Sequence, residues 1–352
     1  MGLPEINIEF KGKAVSAILR SAMGIVSLIL RDDTSTFDSK EYKDIEEIKG
    51  NDWSPENTDF IKLVMKGTPK KVICERVGTE ATDFNAALAR LGSKKWNYLA
   101  IPEILSTEVP DIETWIKAKR ENEKKTFKAV LPNAEADHEG IINFATDDIQ
   151  VGARTYTTEE YCARIAGVLA GLPFTRSSTY FVLNEVDSVK ESDNPDQDID
   201  SGKLILINDG EKVKIARGVN SLTSTTIEKT EDFKKIKILE VMEMVTDDIR
   251  DTFNNSYVGK VPNTYDNQVL FFISVNSYFK GLAGDSILDP SFDNRADVNV
   301  SAQRLAWEGI GTDTTEWDDQ KVKNNSFKST VFAAGNIKIV DAMEDLDFQI
   351  AI

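Results

Sequence analysis

The sequence predicts a mixed chain, α/β and α+β overall, on three observations. Between residues 72 and 144 short apolar runs alternate with stretches of helical period. Beyond residue 230 two long amphipathic helices follow one another, and both ends of the chain carry strand-like alternation. Helices set between strands imply a largely parallel sheet in two or three layers.

At the start, Ile6, Ile8 and Phe10 alternate with Asn7 and Glu9, the period of a strand with one buried face. Residues 12–30 are mixed apolar and small, read as strand and loop packed into the body, and 32–59 are rich in charges and turn residues. A strand follows at 72–77. Thr82 is placed to cap a helix over 84–91 in which Phe84, Leu88 and Leu91 share a face and Gly92 is the stop. After a strand at 98–101, Pro110 stands near the start of a second helix. Its stripe is Ile112, Trp115, Ile116 and Lys119, the lysine stem covering apolar surface. Strands at 126–131 and 141–144 complete the alternation.

Thr157 and Glu160 have capping-box spacing ahead of a helix over 161–170 ended by Gly171. Its alanines and glycines permit close approach of another axis. Residues 187–201, acidic and containing Pro195, read as a loop between domains or subdomains. Strands at 203–207 and 212–216 form a hairpin about Asn208-Asp209-Gly210. The strongest helix spans 232–257, with Ile238, Met242, Val245, Ile249 and Phe253 at three- and four-residue steps. Along it Lys234, Lys235 and Lys237 come first and Glu240, Glu243, Asp247, Asp248 and Asp251 later, the reverse of what a helix dipole favours. Either an interaction elsewhere or a plain solvated face accounts for that order. A more apolar helix over 268–281, with Phe271, Phe272, Val275, Tyr278 and Phe279, implies burial between layers or against another subunit. Residues 296–306 read as a strand, and strands at 336–340 and 346–350 come last. Such terminal strands need a sheet, in the parent domain or in a neighbour.

A chain of 352 residues, 41% hydrophobic, can bury a sizeable core and ordinarily splits into two or three domains. Its net charge of −17 opposes contact with a nucleic-acid backbone, so no nucleic-acid partner is expected. Cys74 and Cys162 sit in apolar settings, which favours buried reduced thiols over the alternative of an intrachain disulfide. Residues 1–10 lack the pattern of a signal peptide, and 14–30 are interrupted by Ser16, Arg20, Ser21 and Ser27. No direct membrane insertion is expected, and a reducing cytosol is the expected place of synthesis.

Catalytic patterns are not found. His138 is the single histidine, in an expected surface loop, with no metal-ligand spacing around it and no Gly-x-Ser-x-Gly elbow in the chain. Gly67-Thr68-Pro69-Lys70 lacks the ending of a phosphate-binding loop, and no Gly-x-Gly-x-x-Gly is present. Asp193, Asp196, Asp198 and Asp200 do not match an EF-hand, and the charged loop is the simpler reading. Trp53, Trp96, Trp115, Trp307 and Trp317 are scattered, without the basic interleaving of a single-strand binder. No catalytic, cofactor-binding or metal residues are assigned. A cytosolic α/β hydrolase or transferase with an unrecognised acidic site is the alternative, since 59 Asp and Glu residues supply many undistinguished pairs.

One resemblance bears on function. Residues 202–210, Gly-Lys-Leu-Ile-Leu-Ile-Asn-Asp-Gly, continue through Ile215-Ala216-Arg217-Gly218-Val219-Asn220-Ser221-Leu222 to the helix containing Ile238 and Ile249. With the helix carrying Ala163, Gly167, Val168, Ala170 and Gly171, this order resembles the contractile tail sheath family. More specifically, the chain resembles the short sheath proteins of myophages, defective prophages and phage-tail-like bacteriocins of Gram-positive bacteria. The resemblance implies a contractile tail sheath fold with an α/β insertion domain, a C-terminal core domain and terminal strand-exchange arms. It places an N-terminal arm at 1–20, the α/β domain and the segment leading into the core at 21–200, the core at 201–330 and a C-terminal arm at 331–352. It implies a sheath homo-oligomer in stacked rings around an inner tail tube protein, with baseplate and tail terminator proteins as further partners and no cofactor. Assembly in the host bacterial cytoplasm would precede life as a virion tail or a released bacteriocin-like particle. Inter-subunit strands would use Ile6, Ile8, Phe10, Ile337, Ile339, Phe348 and Ile350, and Lys234, Lys235 and Lys237 are candidate tube contacts. Another tail or capsid component using strand exchange is a third reading.

Overall fold

The computed structural model describes Ile18 and residues 24–351. The strand expected at residues 4–10 lies outside the described residues. Two compact units emerge, one holding residues 24–243 with 341–351 and the other residues 244–340.

The larger unit is built on seven strands in the order β2-β3-β1-β4-β5-β6-β9. These are β1 (Ile25–Arg31), β2 (Ser39–Tyr42), β3 (Lys71–Val77), β4 (Tyr98–Ala100), β5 (Lys128–Pro132), β6 (Ile141–Phe144) and β9 (Lys203–Leu204). All neighbours pair in parallel except β2 with β3. A parallel sheet covered on both faces demands near-continuous apolar strands, which is why IVSLIL and VIC read as runs rather than clean alternation. Val26, Leu28 and Leu30 of β1 face one layer, and Ile25 and Ile29 face the other.

The first layer contains α1 (Pro55–Met65) and α4 (Thr158–Gly171), the second α2 (Asn85–Gly92) and α3 (Val109–Glu123). Thr157 and Glu160 form the expected capping box of α4. The stripe of α3 is also as expected: Ile112 and Ile116 are buried, and Trp115 stacks with Trp96 and Phe127. The start of α2 differs from expectation. Phe84 occupies the cap and the Asp83 carboxylate, not Thr82, accepts the Asn85 amide at 2.9 Å.

Two further ladders belong to this unit, β7 (Ile149–Val151) with β8 (Arg154–Tyr156), and β10 (Leu206–Asn208) with β11 (Val213–Ile215). The last is the expected hairpin, but residues 203–204 leave it to extend the large sheet beside β6. The acidic stretch at 187–201 is not all loop: Asn194 caps a short helix, α5 (Pro195–Asp200). The sheet therefore runs on past residue 200.

The expected helix at 232–257 is a 3₁₀ turn at 231–234 followed by α6 (Ile236–Ser256). Residues 244–340 add α7 (Tyr265–Gly284), β12 (Arg295–Val298), α8 (Val300–Glu308), α9 (Asp319–Asn324) and β13 (Ala333–Asn336). The strand expected at 296–306 stops at Val298, because the Asn299 side chain accepts the Ala302 amide and starts α8. Among the described residues no helix is long and apolar enough to cross a membrane.

The close approach of α4 to α1 depends on missing side chains. A Cβ on Gly167 would lie 2.3 Å from the Val64 carbonyl oxygen, and one on Gly171 would lie 1.6 Å from that of Gly67. Gly167→Ala should force the helices apart and cost about 1–3 kcal/mol. Urea unfolding should show a lower midpoint at unchanged slope; an unaltered midpoint would contradict the close-packing account.

Candidate functional site

The C-terminal segment leaves the fold in steps. Residues 338–340 are held by Leu288 and its neighbours: Val340 donates its amide to the Ile287 carbonyl at 2.9 Å, and the Asp289 amide donates to the Lys338 carbonyl at 2.8 Å. The expected strand at 336–340 is thus displaced, with the regular ladder earlier at β13 and Ile339 in a single bridge to Leu288. Three acids then bind the segment within the larger unit. Asp341 pairs with Lys235, Ser177 Oγ donates to Glu344 Oε1 at 2.7 Å, and Arg217 Nη2 meets Asp345 Oδ1 at 2.5 Å. The hydrogen bond to Asp341 holds the Lys235 pKa above its ordinary value.

Beyond these pairs the segment has no ladder or bridge among the described residues. Residues 343–351 make no backbone–backbone hydrogen bond among the described residues. The strand expected at 346–350 is not formed, because its alternation meets no sheet, and Phe348 and Ile350 are each 73% exposed. Leu346, Phe348 and Ile350 stand two residues apart and share one face when extended.

The two-stranded sheet of the smaller unit presents the complementary deficiency. Asn276 of α7 donates to the Ala296 carbonyl at 3.1 Å and accepts the Ala296 amide at 2.7 Å, which occupies the outer edge of β12. Ala296 is paired with Gly335, so the polar backbone groups of both point away from each other. Among the described residues no strand pairs with the other edge of β13, and all four of its residues are exposed. Two strands alone make a marginal sheet.

The base of α6 explains its charge order. Lys128 on β5 is 1% exposed, with Nζ 2.9 Å from Glu240 Oε1 and bonded also to Glu243. Arg120 Nη1 lies 2.7 Å from Glu243 Oε1, Lys229 Nζ lies 2.9 Å from Glu139, and the Tyr98 hydroxyl donates to Glu240. Burial alone would lower the Lys128 pKa, but the two glutamates outweigh it and hold it above the ordinary value. These partners were not singled out from sequence; the available signal was a lysine inside the apolar run of β5. Of the three lysines expected on a tube-facing surface, Lys234 pairs with Glu231 at 2.9 Å, Lys235 with Asp341, and Lys237 is buried, which lowers its pKa.

His138 is not a surface residue. It is buried, its Nδ1 accepts the Gly140 amide at 2.9 Å, and burial first of all lowers its pKa to about 4. Cys74 and Cys162 are free and buried, and burial pushes both thiols up. Among the described residues no group of three or more His, Cys, Asp or Glu side chains is placed to hold a metal ion.

Comparison with known proteins gives consistent matches. Residues 228–352 match the phage tail sheath C-terminal domain family, and residues 78–221 match the phage tail sheath protein central domain family. The tail sheath protein of Clostridium phage phiCD119 is 38% identical over 99% of both chains. The crystal structure of a sheath tail protein from Desulfitobacterium hafniense superposes with a TM-score of 0.70 at 17% identity, covering 84% of this chain and 94% of that one. The helical sheath of the anti-feeding prophage in its contracted state gives a TM-score of 0.70 at 14% identity, over 100% of this chain and 99% of that one.

Replacing Lys128 with Met should leave Glu240 and Glu243 buried with less compensation and cost about 3–5 kcal/mol. A combined Lys128→Met, Glu243→Gln variant should recover part of that loss. Denaturation of the variants checks both, and additive losses would show that the charges are not coupled.

Proposed function

The chain belongs to the phage tail sheath family and is a structural subunit of a contractile tail sheath, and we propose that it polymerises as stacked rings around an inner tube. Contraction of that polymer would drive the tube through a target cell envelope, the energy coming from a lower-energy set of subunit contacts. Baseplate and tail terminator proteins would bound the polymer, within a particle assembled in the bacterial cytoplasm and used as a virion tail or released as a bacteriocin-like particle.

The observation that carries this reading is the C-terminal segment. It is anchored at Asp341, Glu344 and Asp345 and then exposes Leu346, Phe348 and Ile350 without a sheet, while β13 offers an open edge. An extended segment and an unpaired edge are the two halves of strand addition. In this reading the exchanged part of the C-terminal arm expected at 331–352 is the tip beyond Asp345, with β13, Ile337 and Ile339 at its base, where β13 pairs with β12 and Ile339 bridges to Leu288 within the chain. Residues 1–20 form the other, with Ile6, Ile8 and Phe10 facing the neighbour's sheet. Residues 21–200 would then be the α/β domain and the segment leading into the core, and 201–330 the sheath core domain. Burying three large apolar side chains contributes about 5–9 kcal/mol before ordering costs, enough when repeated around a ring.

Deleting residues 1–10, or changing Leu346, Phe348 and Ile350 together to Ser, should leave a soluble folded protomer that forms no tubular polymer in negative-stain images. Tubes at normal yield from either variant would remove that arm from the assembly.

Lys234, Lys235 and Lys237 are the proposed tube contacts, with the ion pairs of Lys234 and Lys235 having to exchange on binding. Reversal of the Lys234 charge should weaken cosedimentation with tubes while the thermal midpoint stays fixed; undiminished cosedimentation would exclude Lys234.

A further inference from the structure

His138 is buried and has no part in the proposed assembly. It stands in the loop from β5 to β6, where its Nδ1 accepts the Gly140 amide at 2.9 Å. An accepting Nδ1 leaves the proton of the neutral ring on Nε2. That atom is 3.9 Å from Glu139 Oε2, beyond hydrogen-bond distance. The turn is tightly closed: a Cβ on Gly140 would lie 2.5 Å from Arg120 Cδ and 3.2 Å from His138 Cε1.

The same loop grips a second piece of chain. Between β11 and the 3₁₀ turn at 231–234, residues 222–229 make no backbone–backbone hydrogen bond outside themselves among the described residues. Their hold on the fold comes largely from the loop. The Ser221 amide donates to the Ile141 carbonyl at 2.8 Å, and its hydroxyl donates to the His138 carbonyl at 2.9 Å and accepts the His138 amide at 3.3 Å. The amides of Thr223 and Ser224 donate to Asp137 Oδ1 at 2.7 and 2.8 Å, and Lys229 Nζ lies 2.9 Å from Glu139 Oε2. The region matching the sheath central domain ends at residue 221 and the region matching the C-terminal domain begins at 228. The loop therefore closes on the stretch of chain between the two.

The charges facing the ring come from three elements. Glu139 stands beside it in the loop, Arg120 and Lys117 face it from α3, and Lys229 faces it from the gripped segment. Glu139 is already engaged by Lys229 and, at 3.6 Å, by Arg120, while Lys117 Nζ donates to the Ala136 carbonyl at 2.7 Å. Burial first, and then the three cations against Glu139, bring the His138 pKa from its ordinary 6.5 down to about 4. Hydrogen bonds from Ser224 and Thr223 hold the Asp137 carboxyl well below its ordinary value, and for Glu139 burial is outweighed by Lys229. Within this cluster the histidine is thus the group that changes charge between neutral and mildly acid pH.

We propose that residues 137–140 form an acid-sensitive clasp on residues 219–229, opened when His138 Nδ1 takes up a proton. A protonated Nδ1 is a donor facing the Gly140 N–H, so a hydrogen bond becomes a contact between two donors. The turn must then give way, and with it the His138 amide and carbonyl that hold Ser221. The folded pKa lies below the unfolded one, so the clasp is at full strength above about 6.5 and weakens as the pH falls towards about 4. The clasp lies within one protomer and is independent of polymerisation.

The test follows the full chain by amide hydrogen exchange with mass spectrometry, corrected for the intrinsic exchange rate, and by NMR of its single, selectively labelled histidine. Opening of residues 219–229 should rise roughly 25-fold from about pH 7.5 to about pH 5 while β5 keeps its protection. In His138→Asn the side-chain oxygen can still accept the Gly140 amide two residues on but cannot titrate, so the rise should vanish. The ring of the unmodified chain should stay neutral, protonated on Nε2, below pH 6. Opening that ignores pH, an equal rise in His138→Asn, an equal loss of protection in β5, or a ring that titrates near 6.5 in the folded chain would each overturn the clasp. Circular dichroism verifies the fold of His138→Asn; should that variant not fold, exchange and ring titration of the unmodified chain still decide.

Discussion

The desolvated ammonium of Lys128 constrains much of the larger unit. Strand β5 lies inside a sheet covered on both faces, so a lysine there must find anions or lose its charge. Glu240 and Glu243 provide them, and in doing so they fix where α6 starts against the sheet and how it is turned. Tyr98 and Arg120 bind the same two glutamates, so β4, α3, β5 and α6 share one polar junction. The reversed charge order along α6 follows. Glu240 and Glu243 stand in the second and third turns, past the first turn where the dipole acts most, so their position is governed by the several kcal/mol at stake in a buried pair.

The C-terminal segment is anchored by ion pairs, and the proposed strand addition would begin beyond them. The pairs at Asp341 and Asp345 are partly exposed and individually weak, yet with Glu344 they fix the point from which the segment departs. The apolar tip has no use within the described chain, and the sheet of β12 and β13 is too small to stand alone with its β13 edge bare. Asn276 matters here because it seals the other edge, leaving one direction for growth. Under the proposed assembly these deficiencies are where a neighbouring subunit would add its strand.

Local signals in the sequence translated well where the determining interaction is local. The capping box at Thr157 and Glu160, the apolar stripe of α3, the hairpin at Asn208-Asp209-Gly210 and the alternation of strands with helices all depend on residues within a few positions of one another. Errors arose where one residue redirected the chain. Asn299 turned an expected strand into α8, and the acidic stretch closed into α5 on the Asn194 cap. His138 read as a surface loop residue, yet Glu139 beside it is held by Arg120 and Lys229, and Asp137 accepts from Thr223 and Ser224.

The sequence by itself determined the mixed α/β class, most of the helices and strands, the family resemblance and the apolar alternation at the C-terminal end, since each is written in periodicity or in short ordered motifs. Only the tertiary structure decided which charges meet. Lys128 and Glu243 lie 115 positions apart, and Arg217 finds Asp345 across 128. No periodicity encodes such a pairing, because it depends on how strands are ordered in the sheet and on which groups burial deprives of water. The tertiary structure likewise decided that Leu346, Phe348 and Ile350 go without a sheet while β13 keeps an edge open, because a strand is defined by its partner rather than by its own residues.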